Sequence, residues 1–282
     1  MSLARGVFWF AVSRHKGRSK MTSRSIEAYR KRNEDAPVDL VRESEGWKPV
    51  VCLIDAWAKE KLGPASGYSS LELDRLSEDR GIRFPAEVRE WWRLAGRHPF
   101  VEEGLLRDNA MFLRPYDAEL LAHRDFFAIV IDDAQTASCN GIHFDFLADA
   151  HPPVHGINTT IGPDDAPSLD WYKGAFIATR LSVPALIHAT LLYHLFEPSP
   201  LVVDEAVCLE VERGELRGGR PDQALVSKLG LCRFPNDTIV GDIYSDGQDI
   251  IYWWFMGCAC RTAEAADRVR RIVPTKPRRR WE

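Results

Sequence analysis

The stretch that decides the fold is residues 70–97, SLELDRLSEDRGIRFPAEVREWWRLAGR. Ser69, just before it, and Glu72, within it, form a capping-box pattern, in which each side chain pairs with an otherwise unsatisfied amide at the start of a helix. We expect this helix to run to Gly81. Pro85 then predicts the start of a second helix, because proline lacks an amide proton and is tolerated at the first helical position.

The second helix has one strongly apolar face, formed by Val88, Trp91, Trp92 and Ala95. We expect Gly96 to end it by adopting the left-handed conformation that other residues resist. Adjacent helical residues point about 100° apart, so Trp91 and Trp92 predict one core side chain and one that is partly at the surface.

A further helix is predicted upstream of this pair. Apolar residues recur with the spacing of one helix face, and Gly63-Pro64 is expected to stop the helix. The residues with this spacing are Trp47, Val50, Val51, Ile54, Trp57, Ala58 and Leu62.

Downstream of Gly96 the pattern changes from helical to extended. Residues 126–131 predict a buried strand, and alternation predicts a second strand along Ile142, Phe144 and Phe146. We expect the turn between them at Asn140-Gly141 or at Asp132-Asp133. Residues 152–156 contain two prolines, which predicts an edge segment because proline cannot donate to a central ladder.

The last third of the chain predicts more elements of both kinds. They are a helix after Pro184 with Leu186, Ile187, Leu191 and Leu192 inward, a strand over 206–212, a hairpin of strands over 238–244 and 250–255 around Asp246-Gly247, and a helix over 263–272. Strands and helices are grouped rather than strictly alternating. This grouping indicates an α+β fold with an antiparallel sheet.

Composition excludes several classes of protein. The chain of 282 residues is 45% apolar and 28% charged, and no run approaches the ~20 apolar residues that span a membrane. Six cysteines are too sparse for a disulfide scaffold, which favours reduced thiols and a cytoplasmic location.

Residues 33–273 carry 24 Lys or Arg against 39 Asp or Glu. This acidic part of the chain would repel nucleic acid and is suited to a cationic partner. Acidic surfaces are also common for the sake of solubility alone.

We expect the chain to divide into four segments, of which the charge pattern predicts the two tails. Residues 1–36 form a basic tail, in which Met21 is the translation start that we favour, and residues 274–282 form a second basic tail. Residues 45–200 form the main domain, and residues 201–273 form a C-terminal α/β extension packed on it. We expect both tails to be disordered, because charged chain without apolar periodicity cannot repay its ordering entropy.

Residues that could carry chemistry are few. The sequence has one dense group of potential metal ligands, formed by His143, Asp145, His151 and His155. Their side chains would have to converge on one point to form a metal-assisted hydrolase site. Cys258 and Cys260 lack the spacing and the second ligand pair of a zinc site, which favours thiols that pack in the core. Motifs for phosphate-binding loops and nucleophiles are absent from the sequence. We therefore expect a protein without enzyme activity, cofactor or metal.

Several of these elements occur in a characteristic order. The turn Gly81-Ile82-x-Phe84-Pro85 leads to a helix that ends at Ala95-Gly96; the strand over 127–131 and Gln135 follow, then Pro152-Pro153-Val154, Trp171 and the helix from Pro184. In this order residues 47–195 resemble the SUKH superfamily. The sequence departs from the family pattern at three positions, where Phe84 replaces Leu, Ala134 replaces Asn and His151 replaces Asp.

The resemblance implies a fold and a function. The fold would be N-terminal helices packed on a mainly antiparallel, twisted sheet, here with a C-terminal strand-hairpin-helix extension. Many bacterial members are immunity proteins, which bind and neutralise the toxins of competing cells, frequently nucleases. The resemblance therefore implies a binding module without chemistry of its own, and the acidic composition favours a cationic toxin as its partner.

Partner-binding residues are predicted at the ends of the two best-defined strands, where loops can present charge without burying it. They are Asp132, Asp133, Asp145 and Asp149, with Gln135 as a neutral donor and acceptor. We expect a cytoplasmic protein that binds a cognate toxin but neither nucleic acid nor membrane. Two alternatives remain: the metal-assisted hydrolase, and a regulatory interaction protein without a toxin partner.

Overall fold

The structure, a computed structural model, describes residues 46–102, 110–116, 122–123, 126–132, 138–157, 176–179, 181–196, 201–211, 223–234, 243–253 and 257–277. This part of the chain is α+β, with seven α-helices and two six-stranded sheets. All strand pairs within it are antiparallel. The α+β class and the antiparallel pairing predicted from the sequence are therefore confirmed.

The first helix ends earlier than its apolar spacing predicts. The N-terminal helices are α1 Lys48–Trp57, α2 Ser70–Arg80, α3 Ala86–Ala95 and the short α4 Pro99–Glu102. At Ala58 the chain becomes extended and pairs with Val202, so the predicted stop at Gly63-Pro64 is wrong. The Lys59 amide donates to the Leu201 carbonyl at 2.9 Å, which continues this pairing. A distant segment of the chain thus ends the helix.

Helix α2 begins and ends where the sequence predicts. The Ser69 hydroxyl accepts from the Glu72 amide at 3.2 Å, and the Glu72 carboxylate accepts from the Ser69 amide at 2.8 Å. Hydrogen bonds to its carboxylate lower the pKa of Glu72 to about 2. The Ser69 amide has the largest effect, followed by the Ser69 hydroxyl and Arg97. At the other end Gly81 is left-handed, with φ 62°.

Helix α3 follows a slightly different capping pattern from the predicted one. Pro85 is the N-cap residue, one position before the helix starts. Gly96 is right-handed, with φ −63°, so the prediction of a left-handed stop is wrong. Glycine is required there because a Cβ atom would lie 2.7 Å from the Trp92 carbonyl oxygen and 2.9 Å from the Tyr68 ring. The constraint is therefore close packing, which no local sequence pattern reports.

Both tryptophans of α3 are buried, Trp91 with 1% and Trp92 with 2% of its surface exposed. The prediction that one of them lies partly at the surface is wrong. Trp91 stacks on Trp47 with ring centroids 5.8 Å apart, whereas Trp92 meets the edge of Phe84 at 4.9 Å. Helix α3 is covered on two sides, so two adjacent positions can both be core.

The first sheet contains the strands β1 Ala110–Phe112, β2 Ala122–His123, β3 Phe126–Asp132, β4 Ser138–His143, β5 His155–Ile157 and β6 Phe176–Ala178. Its order is β1-β3-β4-β5-β6, and β2 also pairs with β3. Strand β3 confirms the predicted buried strand. Its residues 126–130 are buried.

Strand β4 differs from its predicted form. It ends at His143, and Phe144–Phe146 form a turn of 3₁₀ helix, so the alternating pattern does not continue as a strand. Asn140 and Gly141 lie inside β4 and form no turn. A Cβ atom on Gly141 would lie 2.0 Å from the Phe127 carbonyl oxygen of β3, so glycine permits the close approach of two strands.

Strand β5 lies inside the sheet, between β4 and β6. The prediction of an edge segment is therefore wrong. Pro152 and Pro153 precede the strand, so neither has to donate to the ladder. His155, which has an amide proton, is the first residue of the strand.

Helix α5 Val183–His194 lies at the centre of the main core. Leu186, Ile187, Leu191 and Leu192 are buried as predicted. The helix is apolar on every side and contacts both α1 and α3. Such a helix is stable only when neighbouring elements surround it.

The second sheet contains β7 Val207–Val211, β8 Cys232–Phe234, β9 Ile243–Ser245, β10 Ile250–Trp253, β11 Gly257–Cys260 and β12 Thr275–Pro277, in the order β12-β7-β11-β10-β9-β8. Gly247, with φ 79°, makes the predicted hairpin turn between β9 and β10. Asp246 Oδ1 accepts from the amides of Gln248, Asp249 and Ile250 and holds this turn.

Of the next two helices, α6 Gln223–Leu229 and α7 Ala263–Arg270, α7 packs on β7 and β11 of this second sheet, and α6 packs on α7. Cys258 and Cys260 are buried in this second core, which they share with Val269 of α7. Trp253 belongs instead to the main core, where its ring lies 5.7 Å from that of Phe196. The second sheet thus contributes side chains to both cores.

The tail assigned to residues 274–282 begins later than the sequence suggests. Residues 275–277 form β12 and pair with β7, so the sheet extends into this segment. Residues 278–282 and the predicted N-terminal tail, 1–36, lie outside the described residues.

Candidate partner-binding surface

The structure describes three of the five predicted partner-binding residues. Asp132 is the last residue of β3 and pairs through its backbone with Ala110 and Ser138. Asp145 and Asp149 both lie on the segment that follows β4, four residues apart. Asp133 and Gln135 lie outside the described residues. The segment after β4 is therefore the best described part of the predicted surface.

Asp145 is 41% exposed and lies beside a buried histidine. Its amide donates to His143 Nδ1 at 3.2 Å, and its Oδ2 atom lies 3.5 Å from the same nitrogen. The backbone amide of Asp145 is thus the group that bonds to His143, and the Asp145 carboxylate is open to solvent and to a partner.

The predicted metal-ligand group does not converge. His143 and His155 are both 1% exposed, with ring centroids 6.4 Å apart, and His155 also stacks on Phe146 at 5.6 Å. Burial, together with His143, lowers the pKa of His155 to about 4, although a hydrogen bond to the Pro153 carbonyl opposes the shift. Among the described residues no three His, Cys, Asp or Glu side chains form a group that could hold a metal. The hypothesis of a metal site at His143, Asp145, His151 and His155 is therefore wrong.

His151 instead contacts a carboxylate of α3. Its Nδ1 atom lies 2.9 Å from Oε1 of Glu87, whose side chain is mostly buried. Burial raises the pKa of Glu87, and the hydrogen bonds from His151 and the Val183 amide only partly offset this effect. The contact joins α3 to the segment after β4, and no local pattern could have predicted it, since the two residues are 64 positions apart.

A groove of about 540 Å³ lies between α2, α3 and the turn at residues 147–150. Its charged lining residues are Arg83, Arg89, Glu90, Arg93 and Asp149. Arg89 forms an ion pair of 2.6 Å with Asp74 of α2. Asp149, predicted to meet a cationic partner, thus shares its groove with three arginines. The sequence analysis missed this groove, although the four-residue spacing of Arg89 and Arg93 places them on one helix face.

The charge of the described residues is nearly balanced, with 17 Lys or Arg against 19 Asp or Glu. Most of the acidic excess of residues 33–273 therefore lies in segments outside the described residues. The expectation of a strongly acidic surface does not hold for the part of the chain that the structure describes.

A second cavity, of about 410 Å³, lies between α1, α5 and the second sheet. Cys52 of α1 and Cys232 of β8 both line it and are exposed thiols. His188 of α5 lines it as well, and burial lowers the pKa of this histidine to about 4.

None of the helices in the described part of the chain combines the length and the apolar character that a membrane crossing requires. In comparisons with known protein families, curated proteins and solved structures, nothing matches this chain.

Proposed function

We propose that the protein is a non-enzymatic binding protein with a SUKH-like fold, which neutralises a cognate toxin in the cytoplasm by direct contact. The resemblance over residues 47–195 is the starting point. In support, the segment with the most specific motif forms a helix, a left-handed turn at Gly81 and a second helix with a buried face. The presence of these helices, of the antiparallel first sheet and of α5 also supports the proposal.

The observation that carries the proposal is the exposed segment after β4. Asp145 and Asp149 present carboxylates there, and neither forms an ion pair with a Lys or Arg side chain of the described residues. A cationic protein could approach these charges without breaking an existing contact. Asp132, at the other end of the β3–β4 pair, also belongs to the proposed surface, as do Asp133 and Gln135, which lie outside the described residues.

Electrostatic contact of this kind acts first on the rate of association. Charges at the edge of an interface attract the partner as it diffuses towards the protein. Salt shortens the range of this attraction from ~30 Å at 0.01 M to ~10 Å at 0.1 M. We therefore expect association with the toxin to slow steeply with salt. Dissociation should change little.

The candidate toxin for the test is the product of the gene next to this one. Co-expression with this protein should restore growth, and the two purified proteins should bind. The double variant Asp145→Asn/Asp149→Asn should associate more slowly. A control with the same charge change, Glu264→Gln/Asp267→Asn on α7, should associate like the wild type.

Two results would contradict the proposal in different ways. Absence of both protection and binding would favour the alternative of a regulatory protein without a toxin partner. Binding that is independent of salt and of the Asp145 and Asp149 substitutions would retain the immunity function but exclude the acidic contact.

A further inference from the structure

The groove between α2, α3 and the turn at 147–150, here called the arginine groove, has the dimensions of a ligand site. Its volume of about 540 Å³ lies within the ~300–1,000 Å³ typical of small-molecule pockets. One wall carries Arg83, Arg89 and Arg93, and the other is formed by Leu147, Ala148 and Asp149. The lining thus combines three arginines and the carboxylates of Glu90 and Asp149 with apolar side chains.

The three arginines of the arginine groove are not all paired within the described part of the protein, although Glu90 and Asp149 also line the groove. Arg89 and Arg93 lie one turn apart on the same face of α3, a spacing at which like charges repel. Asp74 pairs with Arg89. Neither Arg83 nor Arg93 forms an ion pair with any residue that the structure describes. Two guanidinium groups therefore remain available in a concave site, where the surrounding walls concentrate their field.

We propose that the arginine groove binds a small, hydroxylated ligand through a single phosphate or carboxylate group. Guanidinium groups bind both anions with paired, parallel hydrogen bonds. The inference shares Asp149 with the proposed toxin-binding surface, but the substitutions of Arg83 and Arg93 that test it leave Asp149 unchanged.

The remaining lining residues restrict the rest of the ligand. Glu90 and Asp149 would repel a second anionic group, which excludes polyanions such as nucleic acid. The same carboxylates can accept hydrogen bonds from hydroxyl groups. Leu147 and Ala148 offer apolar contact to a carbon skeleton. Sugar phosphates and sugar acids combine these features.

The experiment titrates the full-length protein at low salt with three probes that share a sugar skeleton: glucose 6-phosphate, gluconate and neutral glucose. Calorimetry or ligand-observed NMR should show saturable binding of at least one anionic probe, and glucose should bind at least tenfold more weakly. Preference for glucose 6-phosphate would assign a phosphate site, whereas preference for gluconate would assign a carboxylate site.

Matched variants locate the binding. Arg83→Gln/Arg93→Gln should lose it, and Arg83→Lys/Arg93→Lys should weaken it, because lysine keeps the charge but not the paired geometry. Arg75→Gln/Arg80→Gln on α2 makes the same charge change without touching the lining and should bind normally. Circular dichroism and thermal unfolding establish that each variant is folded.

Three results would overturn the inference. They are the lack of saturable binding by both anionic probes, binding of glucose as tight as that of the anions, and unchanged binding in the folded Arg83→Gln/Arg93→Gln protein.

Discussion

Ser69 and Glu72 show how much a short sequence pattern can determine at the scale of single residues. Their reciprocal hydrogen bonds satisfy two amides at the start of α2, and Glu72 also accepts from Arg97 at 2.8 Å. Arg97 in turn lies over the Tyr68 ring, 4.3 Å from its centroid. A local cap is thereby connected to the segment after α3.

The substitution Ser69→Ala removes the hydroxyl that accepts from the Glu72 amide. We expect the free energy of unfolding to fall by about 0.5–2 kcal/mol, the usual effect of losing an N-cap. Denaturant unfolding measures this change. Ser70→Ala is the control, because the adjacent serine is the first helical residue and does not cap the helix. Equal effects of the two substitutions would show that the cap contributes nothing.

Some single residues also make contacts that no local sequence pattern predicts. Glu87 and His151, which are 64 positions apart in the chain, form one such contact. Gly141 is needed because Phe127 of the neighbouring strand is close, and Gly96 because Trp92 and Tyr68 are close. In each case the partner is selected by packing.

At the scale of elements, helix α3 contributes both to the main core and to the surface. Its inner face packs against Phe84, Trp47 and α5, and its outer face forms the arginine groove. One helix thus carries both the stability of the core and the charged surface that we propose as a ligand site.

Trp91 and Trp92 are buried to the same extent but differ in one hydrogen bond. The Trp92 indole donates to the Leu113 carbonyl at 2.9 Å. We expect Trp92→Phe to destabilise the protein by ~1–3 kcal/mol more than Trp91→Phe, because it leaves a buried carbonyl without its donor. Denaturant unfolding of both variants provides the comparison. An equal loss in the two proteins would exclude a net contribution from this bond.

At the scale of the whole molecule, the second sheet joins the two hydrophobic cores. Its residues Ile243, Ile251 and Trp253 belong to the main core, and the Val203 amide donates to the Trp57 carbonyl at 2.8 Å. Loss of the second sheet would therefore expose apolar surface of the main core.

The buried histidines predict how the stability of this core depends on pH. Burial lowers the pKa of His155 and of His188 to about 4, and it lowers the pKa of His98 as well. The unfolded chain therefore binds more protons than the folded protein between pH 4 and about 6.5. The stability that these residues contribute is complete above about pH 6.5 and is lost as the pH falls towards 4.

We expect the melting temperature to fall across this window. His155 and His188 each account for about 3 kcal/mol once the loss is complete, from ~1.4 kcal/mol per unit of pKa. Glu87 acts in the opposite direction, because its raised pKa favours the folded state at low pH, but a single carboxyl opposes three histidines. His188→Gln and His155→Gln should each flatten the profile. A wild-type melting temperature that is constant from pH 6.5 to 4.5 would contradict the prediction.

The sequence predicts local structure correctly where the contacts that determine it lie within a few residues of each other. The cap at Ser69, the left-handed Gly81, the strand over 126–131 and the turn at Asp246-Gly247 are of this kind. Helical and strand periods, capping side chains and turn residues act locally, so their signals are complete in a short segment.

Only the tertiary structure decided features whose partners are remote in the chain. Val202 ends α1, strands β4 and β6 enclose β5, and the approach of β3 requires Gly141. The arginine groove arises because the turn after β4 lies against α2 and α3. Such contacts depend on how separate elements pack. The free energy of packing arises only when the core is assembled, so it cannot be predicted from one segment of the sequence.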